Sequence, residues 1–300
     1  MRTSILVSLL LPCALLAAEH PRLENPVVFQ RTEVDKTGKR ILAGKLWIME
    51  ADGSHLRQIT FGSTYDEHPS VMSDQEHVLY SEFLANGLIV EAGARLVKLN
   101  IYSGEREIIA EEVGCALHHA TLSPVDDLIA YHRDCGERVS QWIGLGDEAR
   151  EIPFRATNGI RTPDSIIAMH EKNLSISPRE VSLIRISTKG EPAVTLLTDD
   201  KVLHRRAAVS PDLKQMAWQT NATGEGDEIF VADIDGKNPR NLTQAPGNDG
   251  HPWYSRDGEW IVFESDRSGN WEIWRMRSDG SRQEQLTEGK GRYVATRARM

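Results

Sequence analysis

Four polar side chains occupy one equivalent place in a repeated pattern: His68 in EHPSVMSD, His119 in HHATLSP, Arg206 in RRAAVSPD and His251 in GHPWYSRDG. Their types suit two kinds of chemistry. Neutral imidazoles bind a transition metal, whereas imidazolium and guanidinium together hold a carboxylate. His68, His119 and His251 are the candidate metal ligands. With Arg206, and with Arg292 near the C-terminus, they are also the candidate anchors for an anionic ligand or a protein segment. Asp66 and Asp249 stand two residues before their histidines and Glu67 one before, while the arginine disfavours a bound cation. A structural reading stays open beside these two. Equivalent positions in repeats share a residue when the local turn needs it, and His-Pro at a strand entrance can simply hydrogen-bond neighbouring backbone.

The elements that must position these residues are short strands separated by tight turns. HPWYS and EWIVFES flank Arg256-Asp257-Gly258, WEIWRMR follows a turn at Asp266–Asn270, and QEQLT follows Ser278–Ser281. Asp-Gly and Ser-Gly supply the positive φ of tight turns, and the β-branched and aromatic residues between them suit a pleated, buried surface. The ending recurs at Thr60, Ala110, Phe154, Thr198, Thr243 and Thr287, spaced 50, 44, 44, 45 and 44 residues apart. Four strands per unit with a period in the mid-forties is the pattern of a β-propeller, whose first strands line a central channel. The four polar residues should therefore converge at one mouth of it.

The string HPWYSRDGEWIVFESDRSGNWEIWRMRSDGSRQEQLT resembles the repeat of TolB-type six-bladed propellers: Pro-x-Trp-Ser-x-Asp-Gly, a strand ending in Ser-Asp-Arg, an Asp-Gly turn and a closing Leu-Thr. The match is specific from Arg206 onward, fair in the first two units and weaker from Cys115 to Thr198, where NGIRTPDSIIAMH keeps only Thr162-Pro163-Asp164. The resemblance implies an all-β, six-bladed propeller of four-stranded antiparallel blades over residues 19–300, without the N-terminal domain of TolB itself. The Trp-Asp mark of WD-repeat propellers is absent.

Residues 1–18 read as a secretory signal peptide: Arg2, an apolar run from Ile5, then Ala17-Ala18 before Glu19. Cys13 does not suit lipid attachment, because Pro12 stands where a small residue is needed. A periplasmic or secreted protein is expected, with no later apolar run long enough to span a membrane. The net charge of −9 argues against nucleic acid. Only Val27–Gln30 is available as a second strand before KLWIMEADGS, so the first blade lacks an innermost strand. Arg292–Arg297 is expected to supply it and close the ring. Cys115 and Cys135 lie ten residues either side of a turn near Val125. Opposed strand positions come within disulfide range, and an oxidising compartment favours a structural disulfide over two buried thiols.

Other chemistry is mostly missing. No Gly-x-Ser-x-Gly, phosphate-cradling glycine loop, His-Glu-x-x-His or Cys-x-x-Cys occurs. Asp52, Asp235, Asp266 and Asp279 read as turn formers rather than calcium ligands, and the tryptophans as core between blades. Two functions follow. The first is a monomeric binding or scaffold module, without cofactor, for an envelope protein segment or small anion. The alternative is a metal-dependent polysaccharide lyase resembling oligogalacturonate lyase, with His68, His119 and His251 on the divalent metal and Arg205 or Arg206 near the substrate carboxylate. Fold alone does not choose between them.

Overall fold

The computed structural model describes residues 20–34, 41–85, 92–136, 139–152, 154, 156–171, 181–199, 201–289 and 293–299. The expected signal segment 1–18 and Arg292 lie outside the described residues. The fold is all-β and antiparallel, built from repeated groups of four strands.

The first group takes β1 (Pro26–Val34), β2 (Ile41–Glu50) and β3 (Arg57–Gln58). Next come β4 (Tyr65–Val71), β5 (His77–Phe83), β6 (Ala94–Asn100) and β7 (Arg106–Ala110). They are followed by β8 (Ala116–Leu122), β9 (Ile129–Asp134), β10 (Val139–Ile143) and β11 (Arg150–Glu151). β12 (Ala156–Arg161), β13 (Ser165–Glu171), β14 (Val181–Ser187) and β15 (Val194–Leu196) form another sheet. β16 (His204–Val209), β17 (Gln215–Thr220), β18 (Glu228–Asp233) and β19 (Arg240–Asn241) repeat it. The last full group is β20 (Asp249–Tyr254), β21 (Trp260–Ser265), β22 (Glu272–Arg277) and β23 (Glu284–Gln285). The chain ends in β24 (Tyr293–Arg299), which pairs antiparallel with β1 through Gln30↔Thr296, Arg31↔Ala295 and Thr32↔Val294. The second and third groups are not separate sheets, because a parallel bridge, Ala94↔Ala116, ties β6 to β8.

Each sheet buries both faces against its neighbours. Val27, Phe29 and Met49 of the first group pack on Val262 and Ile273 of the last. Ile167 and Leu183 pack on Met216 and Trp218 in the same way. The tryptophans only partly follow the expectation of core. Trp218 is buried, whereas Trp47, Trp253, Trp260 and Trp274 are half-buried with an arginine over the ring. The closest is Arg277, 4.1 Å from the Trp260 centroid. Trp47, Trp253 and Trp274 pack against the core while an arginine covers the ring, which stabilises a partly exposed indole.

The threonine that ends four of the groups has a physical cause. The Oγ1 atoms of Thr60, Thr198, Thr243 and Thr287 accept from the backbone N–H of Leu46, Leu183, Ile229 and Ile273 at 2.8–2.9 Å. Thr287 then donates to Glu272 at 2.6 Å, and Thr243 to Glu228. The Asp-Gly turns are turns: the side chains of Asp52, Asp235 and Asp279 accept from backbone N–H groups two residues on. Asp266 accepts instead from the backbone and side chain of Asn248. Cys115 and Cys135 form a disulfide, one step beyond the Ala116↔Asp134 pair of β8 and β9.

Candidate functional site

Five first strands are broken at the same place. The register with the second strand slips between Glu67 and Ser70, His118 and Thr121, Thr157 and Ile160, Arg205 and Ala208, and Gly250 and Trp253. At each slip one residue carries positive φ: His68 at 48°, His119 at 52°, Asn158 at 50°, Arg206 at 55° and His251 at 46°. Left-handed backbone costs a residue with a Cβ about 1–2 kcal/mol, a cost that glycine avoids. Glycine occupies none of the five, so these side chains are kept at positions where the backbone disfavours them. A bulge re-aims the side chain it carries, and such strain gathers at functional sites.

The five separate into two groups. Asn158, Arg206 and His251 line one pocket with Thr121, Trp253 and Arg299. Arg206 donates from Nη1 to Asn158 Oδ1 at 2.5 Å. His251 Nδ1 contacts Glu264. The Arg299 guanidinium lies 4.4 Å from the Trp253 centroid and donates to Ser70 Oγ at 2.8 Å and to the carbonyl of Ala120 at 3.2 Å. The pocket is half-open, with an inner space of about 20 Å³, near the room one water needs. Its lining of Arg206, Arg299, Asn158 and His251 suits a carboxylate or another small polar group.

His68 and His119 form the second group, with Glu67, His118 and His132. Their rings are 3.8 Å apart, and His119 stacks on His132 at 4.7 Å. Glu67 Oε1 lies 3.1 Å from His68 Nδ1 and 3.4 Å from His119 Nδ1, and the Nδ1 atoms of His118 and His119 are 2.7 Å apart. His132 Nε2 accepts the Asn158 N–H at 2.8 Å, connecting the groups. Burial lowers the His118 pKa to about 4, against a weaker pull upward from Asp134. His132 is pushed well below its ordinary value by burial first, then by His118 and Arg206. Both rings are neutral at pH 7.

Of the predicted residues, His68 and His119 come together, and Arg206 and His251 come together. His251 stands with Arg206 and Glu264 rather than completing a triad with the other two histidines. Asp66 and Asp249 are buried partners of Lys45 and Arg267, at 2.8 and 2.7 Å. Arg205 pairs with Asp227 at 2.6 Å. Sequence reasoning missed Asn158, His118, His132 and Arg299. Asn158 had a signal: it precedes Thr162-Pro163-Asp164 by four residues, as Arg206 precedes Ser210-Pro211-Asp212.

A family model described as the TolB beta propeller domain matches residues 175–299. The same fold is found in TolB from Acinetobacter baumannii, with a TM-score of 0.75 and 15% identity over 93% of this chain and 67% of that one. Residues 175–299 carry the TolB-type propeller repeat, and the described fold is TolB-like. A second TolB-assigned structure, from Agrobacterium tumefaciens, gives a TM-score of 0.63 at 16% identity, covering 92% of this propeller and 98% of that chain. An uncharacterised Agrobacterium fabrum protein is 44% identical over 61 residues, 20% of this TolB-like chain and 21% of its own length. The match thus spans about a fifth of that relative. Among the described residues of the TolB-like propeller, no helix is long and apolar enough to cross a membrane.

Proposed function

We propose that this TolB-like protein is an exported binding or scaffold module, whose channel pocket takes a carboxylate carried by a protein segment or a small anion. The observation that carries the reading is the convergence of Arg206, Arg299, Asn158 and His251 on one small pocket. Two guanidiniums and an imidazole favour a carboxylate, and an amide can both accept and donate beside it. The small inner space favours the end of a chain or one acidic side chain.

In this reading the blades number six and form a closed ring. The pairing of β24 with β1 supports it, as does the chain of contacts between inner strands, from β24 through β4, β8, β12, β16 and β20 back to β24. Closure holds the pocket rigid, so that little ordering cost falls on binding. The leader at residues 1–18, the disulfide and the TolB-like fold support an envelope location. The acidic charge argues against nucleic acid, and the protein is expected to act as a monomer.

Because Arg299 lies on Trp253, a ligand that engages the guanidinium should alter indole emission. A short peptide with a free C-terminal carboxylate is expected to give a saturable fluorescence change, absent in Arg206→Gln. Equal responses to that peptide and to its C-terminal amide would overturn the reading.

A further inference from the structure

The second histidine group belongs neither to the Arg206 pocket nor to the turns of the sheet. Its donor atoms crowd together on two neighbouring strands. Glu67 Oε1 lies 3.1, 3.4 and 3.9 Å from Nδ1 of His68, His119 and His118, and the Nδ1 atoms of His118 and His119 are 2.7 Å apart. Four ligands placed tetrahedrally at about 2.0–2.1 Å from Zn²⁺ are separated from one another by about 3.4 Å. Four of the six edges, at 2.7–3.9 Å, scatter around that value. Ligand atoms of Glu67, His68 and His119 all lie within 4.8 Å of one another, as do those of His118, His119 and His132.

We propose that Glu67, His68, His118 and His119 form a site for one divalent transition metal of the zinc class, between β4 and β8. Three imidazoles and one carboxylate match the preference of zinc, nickel and copper for nitrogen donors, and they disfavour magnesium and calcium, which need oxygen cages. Glu67 is fully buried, and its carboxylate oxygen stands among the three imidazoles. His132 is a positioning residue: its ring stacks on His119, and its Nε2 is fixed by the Asn158 N–H. The bulges of β4 and β8 bring the two strands' histidines together, and His119 is the most exposed of the three, at 16% of its side chain. It marks the side from which an ion would arrive. The site shares no ligand with the Arg206 pocket.

The test uses the purified chain, stripped with a chelator and titrated with Co²⁺, then with Zn²⁺. One equivalent of Co²⁺ should give the intense visible bands of a tetrahedral nitrogen-rich site, and Zn²⁺ should displace it and raise Tm. Glu67→Gln and His118→Gln should each weaken Zn²⁺ binding by more than about 100-fold, beyond the ~10–100-fold typical of outer-shell changes. His251→Gln should leave it unchanged. X-ray absorption of the zinc-loaded unmutated chain covers the case in which the variants fail to fold, and it should count three imidazoles. No uptake by the stripped chain, a six-oxygen spectrum, or equal loss in His251→Gln would overturn the proposal.

Discussion

Arg206 donates to the side-chain oxygen of Asn158 at 2.5 Å, and both residues sit at a positive-φ bulge in the first strand of neighbouring sheets. The bond therefore crosses from one repeat to the next at equivalent positions. It orients the amide beside the pocket that both residues line. Asn158→Leu should keep the fold yet weaken carboxylate binding, because Arg206 loses its orienting acceptor. Calorimetric titration checks this, and an affinity equal to the parent's would separate Asn158 from the site.

The threonine at the end of a sheet is expected to matter more than its small size suggests. Thr287→Val removes the acceptor for the Ile273 N–H and the donor to Glu272, both buried. A loss of about 1–3 kcal/mol is expected. Urea unfolding measures it, and an unshifted midpoint would mean that water replaces both bonds.

The disulfide closes a loop with a sequence separation of 20. The chain-entropy relation gives about 3 kcal/mol for a loop of that size. The Cys115→Ser, Cys135→Ser variant should therefore unfold at lower denaturant, and reduction of the parent should mimic it. If the oxidised and reduced chains unfold together, the cross-link has no stabilising part.

Removing residues after Thr287 deletes β24 and leaves β1 with an unpaired edge. A sharp fall in Tm and a tendency to associate are expected in scanning calorimetry. A truncated chain with the parent's transition would contradict ring closure by the tail.

Acid should destabilise the fold before the carboxylates titrate. His118 is held near 4 and His132 is also lowered, both chiefly by burial, against an ordinary value near 6.5. A depressed histidine is neutral in the fold, while the unfolded chain takes up the proton first. Stability is thus full above about pH 6.5 and falls as pH drops toward 4, on the order of 3 kcal/mol for His118 alone. The groups facing it are Glu67, His119, His132 and Asp134, and of these Asp134 opposes the shift weakly. Glu228, raised by burial, works in the opposite direction at the acid end. Unfolding free energies between pH 7 and 4.5 should slope less in His118→Gln than in the parent. Parallel slopes would contradict a buried neutral ring.

The repeats were legible in the sequence because strand alternation, Asp-Gly turns and the closing threonine are local demands of the backbone. For the same reason the Cys115–Cys135 pairing could be read from the hairpin's symmetry. The equivalence of His68, His119, Arg206 and His251 was visible too, but not their separation into two groups. That division depends on which sheets are neighbours, and His251 pairs with Glu264 of its own sheet. His118 and His132 face each other across β8 and β9, a cross-strand pair that no fixed spacing announces. Arg299 escaped notice because its role comes from where the last strand lies against Trp253, Ser70 and Ala120, all distant in sequence.

The central claim, that bulged first strands aim Arg206 at a carboxylate site shared with Arg299, is tested most directly by nitrogen NMR of the arginine side chains. During titration with a peptide bearing a free carboxylate, the Arg206 and Arg299 signals should move together in one saturable step, while the exposed Arg256 stays still. Stationary signals from Arg206 and Arg299, or equal drift of all three, would contradict it.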